Sequence, residues 1–279
     1  MLLFGLGGKN IENKNVVCLK HHPMNLKYTN GWYTSQVEDN LSDYLVIDVT
    51  SRVIRDKEFM DKHPNFHKDV SPFFLGPLIS SDGLKCHIFE HFWQASKVFP
   101  CHLMLGEISD DFWEWRKSWY DKKRVINKIE SRRPHSLLGY KDSDALFSVI
   151  YEEGEYKRLT YVEARKKLYI TEYAKLVIKT SSYKWIKKLY DEGRKIALVD
   201  FDGYNYYYDV AKEKLYNTYR NKVNVSKEEY LKLNTMKDVV NCGFTPMGHS
   251  FIIKMLLEGD IEVVNGQVID HIGALDITR

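Results

Sequence analysis

The chain has only four cysteines among its 279 residues, Cys18, Cys86, Cys101 and Cys242, and no two form a C-x-x-C pair. Zinc centres need closely spaced thiols, so none is expected, and with no secretory signal these thiols read as reduced, as in a cytosolic protein. Long apolar runs are lacking too, none approaching the roughly 18 residues of a membrane span. The opening stretch Met1–Leu6 is too short for a signal peptide and reads as an edge strand or a buried arm. No large excess of one charge exists, with 41 Lys and Arg against 38 Asp and Glu. Nucleic acid would therefore have to be met by a local patch and not by global basicity. No internal repeat or low-complexity linker divides the chain. What remains is a cytoplasmic α+β protein, a mainly helical single domain with a small sheet.

Aromatics are what the chain has in quantity: 19 Tyr, 13 Phe and 6 Trp. They suit a Tyr-rich core, and they equally supply flat faces on which bases stack.

Strands are expected at Tyr44–Val49, Phe73–Ile79 and Ile196–Asp200, each rich in β-branched or aromatic residues. Asn30-Gly31 and Ser81-Asp82-Gly83 read as turns, the second leading into residues 84–87. From Ile88 the period becomes helical, because Ile88, Phe92, Ala95 and Phe99 recur on one face until Pro100 stops them. A second helix is expected over 110–133, with Ser109 or Asp110 as cap. A third helical region covers 158–192, with Thr160 and Glu163 as a capping box. Helical, charged residues follow over 209–240, and Pro246-Met247-Gly248 introduces an apolar helix from Phe251 to Leu257 that Gly259 ends. Asn265-Gly266 between two alternating runs marks a closing hairpin.

In Glu90-His91-Phe92-Trp93-Gln94-Ala95-Ser96-Lys97 the polar residues are spaced as regularly as the apolar ones. On a continuous helix, positions 90, 94 and 97 fall within roughly 60° of each other. A carboxylate, an amide and an amine would share one stripe beside Trp93. The carboxylate can orient water or stabilise an oxocarbenium-like centre. The amine can attack a sugar C1, and the amide can fix a ribose hydroxyl or a phosphate. The same residue types are good helix formers, and such a stripe also fits a solvated face.

The pattern Glu90-His91-x-x-Gln94-Ala95-x-Lys97, after a glycine turn and a short strand, resembles the E-H-x-x-Q-A-x-K signature helix of the NADAR family. Tyr169–Leu189 is similar to that family's central helices, and Met247-Gly248-His249 through Leu257 to its closing Gly-led helix. Leu198–Gly203 sits where the family has a strand ending in an acidic residue, followed by an aspartate and a W-G pair. Here Gly203-Tyr204-Asn205-Tyr206 replaces the W-G pair, and the acid is either Asp200 or Asp202. The resemblance implies a divergent, viral-type member with a NADAR-like core at 70–102 and 158–260. Residues 103–157 would be a basic, aromatic helical insertion, and 1–69 an N-terminal elaboration. It further implies a hydrolase that cleaves a C1–N glycosidic bond without metal or cofactor. Substrates of the family are phosphorylated intermediates of riboflavin synthesis or ADP-ribosylated guanine bases. Glu90, Lys97 and Asp202 become the catalytic candidates. His91, Trp93, Gln94, Asp200, Asn205, Gly248 and His249 become the candidates for binding a nucleotide-like or ADP-ribosyl substrate.

Other readings stay open. Asp200 and Asp202 suit acid–base work or ribose binding, or simply an Asx turn at Asp202-Gly203. His249 can meet phosphate at a helix N-terminus or be an ordinary cap-region histidine. Tyr204, Tyr206, Tyr207 and Tyr208 line a pocket or merely pack. Over 113–133, Arg116, Lys117, Lys123 and Arg124 interleave with Trp113, Trp115 and Trp119, as contact with DNA or RNA would need. An amphipathic surface helix explains the same pattern. The main alternative to an enzyme is a non-catalytic nucleic-acid-binding or nucleotide-sequestering protein on the same scaffold.

Overall fold

The computed structural model describes residues 15–20, 26–29, 32–35, 43–50, 57–123, 134–200, 235–243 and 246–276. Met1–Leu6, Asp202, Asn205, the tyrosines 204–208, Arg124 and the expected helix before residue 235 lie outside them. In chain order the described elements begin with strands β1 (Val16–Lys20), β2 (Leu26–Thr29), β3 (Trp32–Ser35) and β4 (Tyr44–Asp48). Next come helices α1 (Lys57–Lys62) and α2 (Phe66–Asp69), strands β5 (Leu78–Ile79) and β6 (Lys85–Cys86), helix α3 (Phe89–Ala95) and strand β7 (Lys97–Val98). Strands β8 (Leu103–Met104) and β9 (Glu107–Ile108), helix α4 (Asp110–Tyr120), and strands β10 (Phe147–Glu152) and β11 (Glu155–Leu159) follow. Then come helices α5 (Tyr161–Ala164), α6 (Thr171–Val177) and α7 (Ser181–Asp191), and strand β12 (Lys195–Asp200). Helices α8 (Met236–Asn241) and α9 (His249–Glu258) precede the closing hairpin of β13 (Ile261–Val264) and β14 (Gln267–Asp270). The class is α+β, with several small sheets among the helices.

The central sheet runs β1-β12-β4, all parallel, with Val16 opposite Ile196 and Tyr44 opposite Lys195. A parallel strand buried on both faces carries a continuous apolar run, and Ile196-Ala197-Leu198-Val199 is one. One face packs on α9, whose residues His249–Leu257 are all buried. Emptying one of its large side chains, such as Phe251, to alanine would cost about 3 kcal/mol or more. Gly259, at φ 76°, ends the helix in the left-handed conformation that a side chain would disfavour.

Local signals located several elements correctly. Thr160 and Glu163 cap each other's backbone at α5, and Asn265 and Gly266 take φ 51° and 78° in the closing turn. Ser109 is the N-cap of α4.

Other expectations are corrected. Phe73–Leu75 is a turn and not a strand, because Phe74 N and Leu75 N donate to Ser71 O; only Leu78–Ile79 pairs as strand. Arg158 and Leu159 are strand, so the third helical region starts after Thr160 and breaks again around Lys179 and Thr180. The stretch read as a helical insertion, 103–157, contains α4 but also β10 and most of the β10–β11 hairpin, which pairs onto β7. It therefore supplies strands to the sheet that holds Lys97.

A π-helical turn, Arg165–Ile170, joins α5 to α6. Thr171 Oγ1 donates to Lys166 O at 2.8 Å, bridging the wide turn. Its first residue, the buried Arg165, donates to Val239 O, Val240 O and Cys242 O at 3.2, 3.0 and 2.7 Å. That guanidinium caps the C-terminal end of α8, where carbonyls lack helical partners.

Candidate active site

The site grows from the short helix α3. Its first amides have no partner within the helix, and two are met by the preceding turn: Phe89 N donates to Leu75 O at 2.8 Å and Glu90 N to Pro72 O at 3.0 Å. Gly76 sits beside these carbonyls at φ 141°, and a Cβ there would overlap the carbonyl of His87. Only glycine suits that position.

The helix stops at Ala95, one turn earlier than the apolar period suggests. Ser96 Oγ turns back to Trp93 O at 2.8 Å, and Lys97 and Val98 enter the strand that pairs with Ser148 and Phe147. Lys97 therefore lies on β7 and not on the helix. The three polar groups still converge, through hydrogen bonds instead of helical periodicity. Gln94 Nε2 donates to Glu90 Oε1 at 2.9 Å, and Lys97 Nζ donates to Gln94 Oε1 at 2.8 Å. Glu90, Gln94 and Lys97 are 8%, 5% and 4% exposed, so the stripe is not a solvated face. Burying a carboxylate and an amine is costly unless their polar atoms are satisfied, and the amide between them does that.

Two further groups complete the cluster. Lys97 Nζ meets Asp142 Oδ1 at 2.5 Å and lies 4.7 Å from the centre of the Trp93 ring. His135 Nδ1 stands 3.8 Å from the same Asp142 oxygen. Neither Asp142 nor His135 carries a periodic or motif signal, so no sequence feature pointed to them. His91, by contrast, packs edge-on against Trp119 of α4, with ring centres 5.1 Å apart.

Asp200 and His249 form a second cluster at the carboxyl end of β12. Asp200 Oδ2 faces His249 Nδ1 at 3.2 Å and accepts from Ser250 N at 3.1 Å. His249 Nε2 lies 2.7 Å from Val49 O. Both ring nitrogens thus face acceptors. Gly248 is the N-cap of α9. Asp200 acts as a tertiary cap for that helix and is held within the fold.

An aromatic series joins the two clusters. Trp93 and Tyr169 lie 5.0 Å apart between centres, Tyr169 and Tyr173 6.4 Å, and Tyr173 and His249 5.6 Å. Tyr169 owes its position to the π-helical turn, and sequence reasoning did not single it out. Burial, and then the nearby Asp200 charge, raise the Tyr173 phenol well above its ordinary value, and its hydroxyl donates to Val70 O at 2.6 Å.

The expected nucleic-acid residues separate. Lys117 and Lys123 are exposed, but Arg116 is buried and its Nη1 meets Asp82 Oδ2 at 2.5 Å. Arg116 is therefore removed from any contact surface on α4, and its charge serves the interior. Burial alone would raise the Asp82 carboxyl; hydrogen bonds from Arg116 and Ser80, the Arg116 charge and Tyr156 outweigh it and bring the value down to about 2.

Among the described residues no group of three or more His, Cys, Asp or Glu side chains is placed to hold a metal ion. No helix among them is long and apolar enough to cross a membrane. Fold and site together define an α+β protein with a buried acid–amide–amine chain. No family model matches the chain, and neither a curated protein nor a solved structure does.

Proposed function

We propose that the chain is an N-glycosidase of the NADAR type, hydrolysing a C1–N glycosidic bond in a nucleotide-like or ADP-ribosylated substrate. One observation carries this reading: Glu90, Gln94 and Lys97, the residues of the E-H-x-x-Q-A-x-K resemblance, form one buried hydrogen-bonded chain beside an indole face. Glu90 takes a proton from water as the water oxygen attacks C1, and the C1–N bonding pair leaves with the base. Lys97 acts as an electrostatic partner. Its Nζ is engaged by Gln94 Oε1 and Asp142 Oδ1. Trp93 supplies a stacking wall. Asp200 or Asp202 holds the ribose.

The test is incubation with ADP-ribosylated DNA, ADP-ribose derivatives and pyrimidine riboside phosphates, with a freed base sought by mass spectrometry. Release of base by the wild type, and a loss of about a hundredfold or more in Glu90→Gln and Lys97→Ala, is expected. Full turnover by both variants dismisses the mechanism. Borohydride during turnover should trap no adduct on Lys97; a trapped adduct would make the amine a nucleophile.

A further inference from the structure

We infer that Tyr161 is the residue on which the nucleobase of the substrate stacks. The inference rests on reading Glu90, Gln94 and Lys97 as the reacting groups, and it says where the flat end of the substrate lies. Trp93 is only 8% exposed, with Lys97 Nζ over its ring and Tyr169 packed against it. Most of the indole is thus taken up by the protein, and a base needs a further flat face. Tyr161 supplies one. It is 41% exposed, and its ring centre lies 6.3 Å from that of Trp93. It forms the open end of a series that runs inward through Trp93 to the amine of Lys97.

The π-helical turn brings Tyr161 to this place. In an uninterrupted α-helix, residues eight apart point about 80° away from each other. A π turn accommodates one extra residue, so positions 161 and 169 are related as residues seven apart, about 20° from each other. Tyr161 and Tyr169 therefore both reach the Trp93 ring. Tyr161 is also held before any ligand arrives. It is the first residue of α5, whose backbone Thr160 and Glu163 cap, and the Arg165 guanidinium lies 4.8 Å from its ring centre. Arg165 is itself buried and bonded to Val239 O, Val240 O and Cys242 O. A ring fixed in this way loses little freedom when a base stacks on it. A base resting there leaves its sugar beside Trp93, with C1 toward Glu90 and Lys97.

Titration calorimetry with guanosine 5′-monophosphate, which carries a base on C1, and with ribose 5-phosphate, which carries none, isolates the contribution of the base. The wild type should bind the nucleotide about tenfold or more tighter than the sugar phosphate, the usual effect of one base–aromatic stack. Tyr161→Ala should remove most of that preference by weakening the nucleotide alone, and Tyr161→Phe, which keeps the flat face, should rescue it. Thermal melts establish that each variant is folded, and Tyr161→Leu, which keeps apolar bulk without a flat face, serves as a second variant should Tyr161→Ala fail to fold. A wild type with no preference for the nucleotide overturns the inference. So does a Tyr161 variant that keeps the preference, or one that weakens both ligands equally. Loss of the preference in a protein that releases base from no substrate would uphold the stacking role while refuting the glycosidase reading. Release of base with KM unchanged in Tyr161→Ala would do the reverse.

Discussion

Asp200 Oδ2 lies 3.2 Å from His249 Nδ1 and also accepts from Ser250 N, so the last residue of the central strand caps the first turn of the last described helix. The two residues stand at opposite edges of a stretch that lies mostly outside the described residues, and their contact ties α9 to the sheet regardless of it. Asp200→Ala should therefore destabilise the fold by about 3 kcal/mol, because it leaves buried donors without their acceptor. Urea unfolding would read the change as a lower midpoint at unchanged slope. A loss under about 0.5 kcal/mol, within the range of ordinary surface substitutions, would show that the contact holds nothing.

Asp82 and Arg116 make stability depend on acid. The folded carboxyl value, about 2, lies below the ordinary 3.8, so the pair's contribution is complete above about 4 and is lost as pH falls toward 2. Arg116→Met should remove part of that slope. Its melting temperature should sit well below wild type at pH 6 and converge on it near pH 2. Parallel curves at every pH would mean that the pair is not the source.

Gln94 both donates to Glu90 and accepts from Lys97, and no carboxylate can do both. Gln94→Glu sets a second buried carboxyl against Glu90, and one of the two must then hold a proton more tightly than it would when unfolded. A group whose folded value is raised loses its stabilising share as pH rises. The melting deficit of Gln94→Glu relative to wild type should thus be larger at pH 7.5 than at pH 4.5. An equal deficit at both would argue against close contact of the two acids.

Gly76 acts on the site at one remove. Gly76→Ala would push its Cβ onto His87 O, just before Phe89 N and Glu90 N reach back to the same turn. The expected result is a loss of about 1–3 kcal/mol together with a shift of α3. Amide exchange at Phe89 and Glu90 should speed up more than at α9. Uniform change across the chain would mean a global effect only.

The sequence by itself determined whatever is settled within about four residues. Thr160 with Glu163, Asn265-Gly266, Gly259 and the Gln94-to-Glu90 spacing all bond or bend locally, so their chemistry can be read along the chain. Tertiary structure decided the rest, for one physical reason: backbone and charged groups that must be buried take whichever partner the fold brings near, however distant in sequence. Lys97 leaves the helix because Ser148 offers a strand partner, and it finds Asp142 from 45 residues away. Arg116 leaves the surface for Asp82, and Asp200 meets His249. Helical periodicity predicted the neighbourhood of Glu90, Gln94 and Lys97, but only long-range pairing determined how the amine enters it.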